Sequence, residues 1–248
     1  MSANQPLEGR VALVTGASSG IGHATAQALA ADGADLAFAA RSEDKLESLA
    51  AQLETEHGTQ TLVAPTNVRD EHDVEATVEA TVETFGRLDI VVLNAGVGAP
   101  GSRPEDTSTE EYRTLMETHV DGTFFTVRAT VPHLRDTGGN LIFMSSIAGQ
   151  YPRPATPLYA ATKWWIRGYA LSIEGMVAED DVSVTVVNPA EVRTGIEVLG
   201  TAIDERFGEG EVSEPEEVAD AVAFAARQQG PSTVAELDLY YRGKLGQF

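Results

Sequence analysis

Residues 11–22 read VALVTGASSGIG, an apolar run that passes directly into a turn with three glycines. The run has the length and composition of a buried strand, and the residues after the turn have the spacing of a helix. A glycine turn between a strand and a helix presents backbone N–H groups and the helix N-terminus to a phosphate. The spacing G-x-x-x-G-x-G, rather than the commoner G-x-G-x-x-G, therefore predicts a phosphate-binding turn, with tight packing alone as the alternative.

Short apolar runs and periodic segments alternate along the rest of the chain. Strands are predicted at 11–15, 36–40, 61–64, 90–93, 141–145, 183–187 and 234–239. Helices are predicted near 21–31, 43–56, 71–85, 110–134, 158–178 and 215–227, with a capping box at Ser108 and Glu111 and a start at Ser213. Buried strands that alternate with helices indicate a parallel sheet covered on both faces. The sequence shows no linker or repeat, so it predicts one doubly wound α/β domain over 1–248.

The composition excludes several classes of function. There is no cysteine, and the five histidines lack metal-ligand spacing, so no metal site is expected. A net charge of −21 repels nucleic acid and anionic membranes. Residues 1–10 lack the pattern of a secretory signal, and no apolar run approaches the length of a membrane span. These features predict a soluble, cytoplasmic protein.

Lysine is scarce in this chain. Only Lys45, Lys163 and Lys244 occur, against fourteen arginines and thirty-eight acidic residues. An acidic, lysine-poor surface suggests adaptation to high salt, where the Debye length falls to about 3 Å at 1 M and self-repulsion is screened. The alternative is an acidic protein of an ordinary cytoplasm.

One of these lysines follows a tyrosine at helical spacing, in the stretch YAATK at 159–163. On a helix, Tyr159 and Lys163 lie on the same face. A charge about 4 Å from the phenol favours the phenolate by about 4 kcal/mol at an effective dielectric of about 20. The spacing therefore predicts that the tyrosine pKa falls from about 10 towards neutrality and that the pair exchanges protons. Ser146, thirteen residues before Tyr159, is placed to hold a substrate oxygen.

Five motifs, in this order, resemble those of the short-chain dehydrogenase/reductase family. They are TGASSGIG at 15–22, NAG at 94–96, Ser146, YAATK at 159–163 and NPAEVRT at 188–194. The resemblance spans the chain from Arg10 to about Leu239. It implies a Rossmann sheet of seven parallel strands and a nicotinamide dinucleotide cofactor. The region around 159–167 and the short carboxyl terminus are similar to NADP-dependent 3-hydroxy acid dehydrogenases of this family.

The resemblance also implies roles for individual residues. Tyr159 would exchange a proton with the substrate oxygen, Ser146 would hydrogen-bond that oxygen, and Lys163 would lower the tyrosine pKa and hold the nicotinamide ribose. Ser145 is expected to be structural. The cofactor-binding residues implied are Gly16, Ser18, Ser19, Gly20, Ile21, Gly22, Arg41, Asn67, Val68, Asn94, Ala95, Gly96, Tyr159, Lys163, Pro189, Val192 and Thr194. Of these, Asn94 would act through its backbone and Thr194 would bind the carboxamide.

Three positions depart from the family pattern. His119 replaces the fourth catalytic residue, an asparagine that holds a water in a proton relay to the lysine. A neutral imidazole donates and accepts hydrogen bonds, so we expect a modified relay, although the larger ring is also able to displace the water. Asn67 replaces the usual adenine-binding aspartate, and Ala190 replaces the glycine after Pro189.

The end of the second predicted strand bears on the choice of cofactor. An acidic residue at this point binds the ribose 2′-hydroxyl of NAD, whereas a nearby arginine suits the 2′-phosphate of NADP. Ala40 occupies the acidic position and Arg41 follows it. The sequence therefore predicts NADP, with NAD as the second choice.

The substrate is less sharply indicated. Residues at about 193–212 mix apolar side chains with charges and glycines, and we predict that they form a lid. Arg103, Arg153 or Arg193 is able to hold a substrate carboxylate, although surface ion pairs are the alternative for each. The candidate substrates are a carbonyl compound or secondary alcohol, including a short 3-hydroxy or 3-oxo acid.

Two functions are consistent with these residues. The first is an NADP-dependent carbonyl reductase or alcohol dehydrogenase; the second is a non-catalytic dinucleotide sensor that lost its relay at His119. The resembling family pairs its fourth and fifth helices across a two-fold axis. The aromatic residues on these helices, Phe124, Phe125, Trp164, Trp165 and Tyr169, therefore predict a homotetramer or homodimer.

Overall fold

The computed structural model describes residues 5–99, 103–230 and 232–247. Its strands are β1 Val11–Thr15, β2 Asp35–Ala40, β3 Thr61–Pro65, β4 Ile90–Leu93, β5 Asn140–Met144, β6 Ser183–Pro189, β7 Glu197–Val198, β8 Thr201–Ala202 and β9 Glu236–Leu239. Its helices are α1 Gly20–Ala31, α2 Glu43–His57, α3 Glu71–Phe85, α4 Thr109–Met116, α5 Gly122–Thr137, α6 Pro157–Val177, α7 Ile203–Arg206 and α8 Pro215–Ala226.

Seven strands form one parallel sheet in the order β3-β2-β1-β4-β5-β6-β9. This is the doubly wound arrangement that the alternation of strands and helices predicted, with the seven parallel strands of the Rossmann sheet that the family resemblance implied. The chain winds outward in one direction from β1 through β2 to β3, and then in the other from β4. The carboxyl ends of β1 and β4 therefore border the crevice in which such sheets bind ligands.

The inner strands β1, β2, β4, β5 and β6 bury both of their faces, whereas the edge strands β3 and β9 are partly exposed. Along β1, Ala12 and Val14 belong to the apolar cluster on one face of the sheet, while Val11 and Leu13 belong to the cluster on the other. Helices α1, α2 and α8 cover the first face, and α3, α5 and α6 cover the second. This burial explains why the strands read as continuous apolar runs.

The predicted helix at 110–134 is interrupted. A π-helical turn, Glu117–Asp121, separates α4 from α5 and contains His119. The capping box of Ser108 and Glu111 at the start of α4 is confirmed. The prediction that α8 starts at Ser213 is wrong by one residue, because Glu214 is the N-cap and forms a capping box with Glu217.

The predicted lid contains the small antiparallel hairpin β7–β8, followed by α7. Sequence patterns did not indicate this hairpin, since strands of two residues are too short for periodicity to show. Within the part of the chain that the structure describes, no helix is long and apolar enough to span a bilayer. The described residues also contain no group of three or more His, Cys, Asp or Glu side chains able to hold a metal ion.

Candidate active site

A cleft of about 440 Å³ lies at the carboxyl ends of β1 to β4. Most of the residues predicted to bind the cofactor line it, namely Gly16, Ser18, Ser19, Gly20, Ile21, Arg41, Asn67, Val68, Asn94, Ala95, Gly96 and Thr194. Five others are not part of this lining: Gly22, Tyr159, Lys163, Pro189 and Val192. The fold therefore brings residues from four strand ends and from the predicted lid to one crevice.

The glycine turn permits close approach of the backbone. Gly16 and Gly20 adopt φ values of +71° and +55°, a left-handed conformation that favours glycine, and both line the cleft. A Cβ on Gly22 would lie 2.3 Å from the carbonyl oxygen of Gly16, so a larger residue does not fit there. Tight packing thus accounts for Gly22, whereas Gly16 and Gly20 form the wall of the cleft.

The N-terminus of α1 suits an anion. Its N-cap, Ser19, makes no side-chain capping hydrogen bond, and the first turn of the helix carries no acidic residue. The first turns of α5 and α6 also lack acidic residues, but of these three helices it is α1 whose first residues line the cleft. The backbone N–H groups and the positive end of the helix dipole at α1 are therefore left to a ligand. The site fits a phosphate-bearing cofactor on this observation.

Thr15 joins the ends of β1 and β4. Its hydroxyl accepts the N–H groups of Asn94 and Ala95 at 3.0 and 3.1 Å. The amide of Asn94 in turn donates to the carbonyl oxygens of Thr15 and Gly16, at 3.0 and 3.3 Å. Sequence reasoning assigned no role to Thr15, although it stands first in the quoted glycine motif. This network fixes the floor of the cleft.

Two cations line the cleft beyond β2. Arg41 and Lys45 are both exposed, and neither has an ion pair among the described residues. Arg69 also lines the cleft, but it is paired with Glu117. Sequence reasoning identified Arg41 and missed Lys45, although a scarce lysine one helical turn after Arg41 was a usable signal. The two unpaired cations give this end of the cleft a local positive charge.

The predicted catalytic residues surround the end of β5. Lys163 is only 6% exposed, and its ammonium donates to the carbonyl oxygen of Met144 at 3.0 Å. Burial lowers the pKa of Lys163 to about 8. The hydroxyl of Ser146, just after β5, donates to the carbonyl oxygen of Pro189 at 3.3 Å. Ser145 bonds instead to the carbonyl oxygen of Lys163 at 3.2 Å, in agreement with its expected structural role.

The pKa of Tyr159 differs from the sequence-based prediction. Burial raises it to about 12, although the hydroxyl of Ser146 and the charge of Arg153 oppose this rise. The Lys163 ammonium lies 5.7 Å from the centre of the tyrosine ring. Helical spacing placed the two side chains on one face, but it did not account for the loss of water around the phenol, which disfavours the phenolate. The prediction of a tyrosine pKa near neutrality is therefore wrong for this structure.

Both ring nitrogens of His119 have protein partners. Nε2 accepts the N–H of Val97 at 3.0 Å, and Nδ1 is 2.8 Å from the hydroxyl of Thr162. The imidazole is 1% exposed, and its ring centre lies 5.7 Å from that of Tyr159. Burial, followed by the charge of Lys163, holds its pKa well below the ordinary value, so the ring is neutral. Neither nitrogen is left over to carry the predicted relay water.

The structure separates the three arginines considered for the substrate. Arg193 forms two hydrogen bonds of 2.9 Å with Glu214. Arg103 is 80% exposed and lies near Glu105. Arg153 is half-buried and has no ion pair among the described residues. Burial raises the pKa values of Tyr159 and Tyr240, and the charge of Arg153 partly opposes that rise in both. Of the three, Arg153 alone is unpaired and close to the predicted proton donor.

Comparison with known proteins identifies the family that this fold and site indicate. The model of the short chain dehydrogenase family matches residues 10–201, and the chain belongs to that family. An uncharacterized oxidoreductase of Staphylococcus epidermidis is 33% identical over 231 residues, covering 93% of this chain and 96% of its own length.

Two solved structures have the same fold with different cofactors. An alcohol dehydrogenase from the archaeon Thermococcus sibiricus, complexed with 5-hydroxy-NADP, is 32% identical with a TM-score of 0.86, covering 94% of this chain and 97% of that one. A 3-ketoacyl-(acyl-carrier-protein) reductase from Brucella melitensis, complexed with NADH, is 29% identical with a TM-score of 0.85, covering 95% and 98%. A nicotinamide dinucleotide is therefore supported as the cofactor, while NADP and NAD both occur among these relatives.

Proposed function

We propose that this protein is an NADP-dependent oxidoreductase that interconverts a carbonyl group and a secondary alcohol. The observation that carries the proposal is the grouping of Ser146, Tyr159 and Lys163 around the end of β5, beside the cleft. His119 links this group to the cleft wall, because a Cβ on Gly96 would lie 3.2 Å from its Nε2. An acid–base residue thus stands next to a site that fits a dinucleotide.

The chemistry is divided between the cofactor and the protein. A bound nicotinamide dinucleotide supplies the donor or acceptor of a hydride. Tyr159, with a pKa of about 12, is protonated at neutral pH, which is the form that donates a proton to a carbonyl oxygen. The hydroxyl of Ser146 stabilises the negative charge that grows on that oxygen. The nearby charge of Lys163 favours the phenolate that remains when the proton has left.

A preference for NADP is supported by Arg41 and Lys45. The 2′-phosphate is the group that distinguishes NADP from NAD, and a guanidinium binds phosphate through charge-assisted hydrogen bonds. Most arginines of this acidic chain have carboxylate partners, whereas these two cleft cations have none among the described residues. The Thermococcus alcohol dehydrogenase with its NADP derivative is consistent with this choice.

An anionic substrate is supported by Arg153. It lies six residues before Tyr159, and its unpaired guanidinium is near enough to oppose the rise that burial causes in the pKa of the phenol. The guanidinium of Arg153 is able to bind a substrate carboxylate through two parallel hydrogen bonds. A carbonyl group a few atoms along the same substrate would then lie at the hydroxyl of Tyr159. We therefore propose a short 3-oxo or 3-hydroxy acid as the substrate class.

The test is oxidation of NADPH with a panel of neutral ketones and short oxo acids in molar salt. The parent should consume NADPH with at least one class, and Tyr159→Phe should abolish this consumption without losing the cofactor. Tight binding of NADPH without turnover across the panel would contradict the proposal and favour a non-catalytic sensor. The partners of His119 leave no ring nitrogen for a relay water, but the grouping of Ser146, Tyr159 and Lys163 supports an enzyme over that alternative.

A further inference from the structure

We propose that His119 is a positioning residue that joins the catalytic helix α6 to the lid at about 193–212. The inference rests on the proposed function, because it assigns the lid to the substrate and cofactor of that reaction. It differs from the relay role considered from sequence, in which the imidazole would hold a water molecule.

The first link runs from His119 to α6. The Thr162 hydroxyl has a single proton and donates it to the carbonyl oxygen of Tyr159 at 2.8 Å. Nδ1 of His119, 2.8 Å from the same hydroxyl, must therefore donate to it. Nε2 is then the acceptor that the N–H of Val97 requires. One neutral tautomer satisfies all three bonds, and it joins the N–H of Val97 to the first turns of α6 through Thr162.

The second link runs from Val97 to the lid. Two residues after Val97, Ala99 forms a parallel bridge with β7: its N–H donates to Glu197 and its carbonyl oxygen accepts from Leu199, both at 3.0 Å. Gly98 lies between Val97 and Ala99 in the chain, and a Cβ on it would lie 1.9 Å from the carbonyl oxygen of Glu197. The lid hairpin therefore rests directly on the backbone segment that His119 holds.

The lid reaches the cleft at its other end. Thr194, Gly195 and Ile196, which precede β7, line the cleft. Within the lid, the N–H of Asp204 donates to the carbonyl oxygen of Thr194 at 3.1 Å. This bond joins the start of α7 to the residues that line the cleft. The two ring nitrogens of His119 point in opposite directions, so one buried side chain spans α6 and the 97–99 segment. Loosening that side chain should release the lid while the sheet stays folded.

Hydrogen exchange tests the link between His119 and the lid, and it does not require enzymatic turnover. The amides of Ala99 and Leu199 report the lid bridge, and the amides of β5 report global unfolding. In His119→Ala we expect lid protection to fall by about 10-fold relative to β5, within the usual range of coupling between sites. Thr162→Val, which removes only the hydroxyl, should act in the same direction. His119→Asn restores a donor and an acceptor and should retain most of the protection.

Thr126→Val is the matched control. Thr126 is buried and its hydroxyl bonds within its own helix, to Gly122 at 2.7 Å, without contact to His119. This variant should lower stability without selective loss of lid protection. The link would be overturned if the lid amides of both His119→Ala and Thr162→Val exchanged at the rate of the parent. It would also be overturned if their exchange rose only as much as that of the β5 amides.

Kinetics separates positioning from packing. In His119→Ala, KM for the carbonyl substrate should rise about 10-fold, because a loosened lid binds the substrate less well. The value of kcat should change by less than about threefold, because Tyr159 still donates the proton. An unchanged KM alongside a loosened lid would overturn the positioning role. If the parent protein shows no turnover, the proposed function fails, but the exchange experiment still decides whether His119 holds the lid.

Discussion

Lys163 lies one helical turn after Tyr159, yet its ammonium donates to the carbonyl oxygen of Met144 rather than to the phenol. Its Nζ is 5.7 Å from the centre of the tyrosine ring. The lysine is thus anchored to the end of β5 and makes no hydrogen bond with the tyrosine among the described contacts. The chain keeps a buried cation at this position although burial disfavours its charged form.

Lys163→Met should stabilise the protein at pH 7 by about 1–3 kcal/mol while it abolishes turnover, because it removes a buried charge at the expense of one hydrogen bond. The folded pKa, about 8, lies below the ordinary 10.5, so the cost of burial is fully present below pH 8. It disappears as the pH rises from 8 to 10.5, because the unfolded chain binds the extra proton in that window. Urea unfolding of both proteins from pH 8 to 10.5 should show that the difference in their free energies of unfolding narrows. A difference that does not change with pH would contradict this prediction.

Arg41→Ala should weaken NADPH binding by about 10-fold to 100-fold and leave NADH nearly unchanged, since it removes a charge-assisted contact to phosphate. Lys45→Ala should shift the preference in the same direction by a smaller factor. Arg69→Ala is the control, because Arg69 lines the same cleft but is paired with Glu117. Fluorescence titration with both cofactors measures these changes. Equal weakening of NADPH and NADH in Arg41→Ala would refute the assignment.

The strands and the glycine turn were predictable because their signals are local. Burial on both faces leaves a continuous apolar run, and β1 and β4 have the predicted bounds. The π turn at Glu117–Asp121 was not predictable, since the apolar spacing continues from α4 into α5 and one inserted residue leaves little trace. It decides, however, where His119 points.

The spacing of residues in the sequence did not predict properties that depend on the folded surroundings of a side chain. The sequence placed Tyr159 and Lys163 on one face correctly, but the tyrosine pKa depends on how much water the fold removes from both groups. The partners of His119, Val97 and Thr162, lie 22 and 43 residues away in sequence, so neither was visible without the fold.

Arg153→Ala should lower kcat/KM for short oxo acids by about 10-fold to 100-fold, because a charged hydrogen-bond partner of the carboxylate is lost. Neutral ketones should lose far less, since any effect through the tyrosine pKa applies to both substrate classes alike. Arg103→Ala, at an exposed position, serves as the control. Steady-state kinetics on matched acid and ketone pairs decides the matter, and an equal loss on both would refute carboxylate recognition by Arg153.

Stability should rise with KCl well beyond physiological strength. Thirty-eight acidic residues face seventeen basic ones, so salt screens more repulsion than attraction. Glu79 and Glu83, exposed like charges one turn apart on α3, provide a matched variant. Glu79→Gln with Glu83→Gln should raise the Tm in dilute buffer and reduce the salt response. A Tm that stays flat between dilute buffer and molar KCl would rule out the high-salt interpretation.

The predicted homotetramer or homodimer has a candidate surface. Tyr112, Phe124 and Trp164, on α4, α5 and α6, are exposed aromatic side chains in this chain. Trp164→Glu should shift the protein to a smaller species, because a buried charge destabilises an apolar interface. Light scattering in molar KCl measures the mass. A monomeric parent under these conditions would contradict the prediction.

The bare first turn of α1 has a consequence for the kinetics of cofactor association. A dinucleotide is itself an anion, and at a distance it meets the repulsion of a chain with net charge −21. Only within a Debye length of the cleft do the uncapped N–H groups of α1, with Arg41 and Lys45, reverse the sign of the force. Added salt should therefore speed the encounter while it weakens the contacts that follow, so this acidic protein would capture its cofactor fastest where salt is abundant.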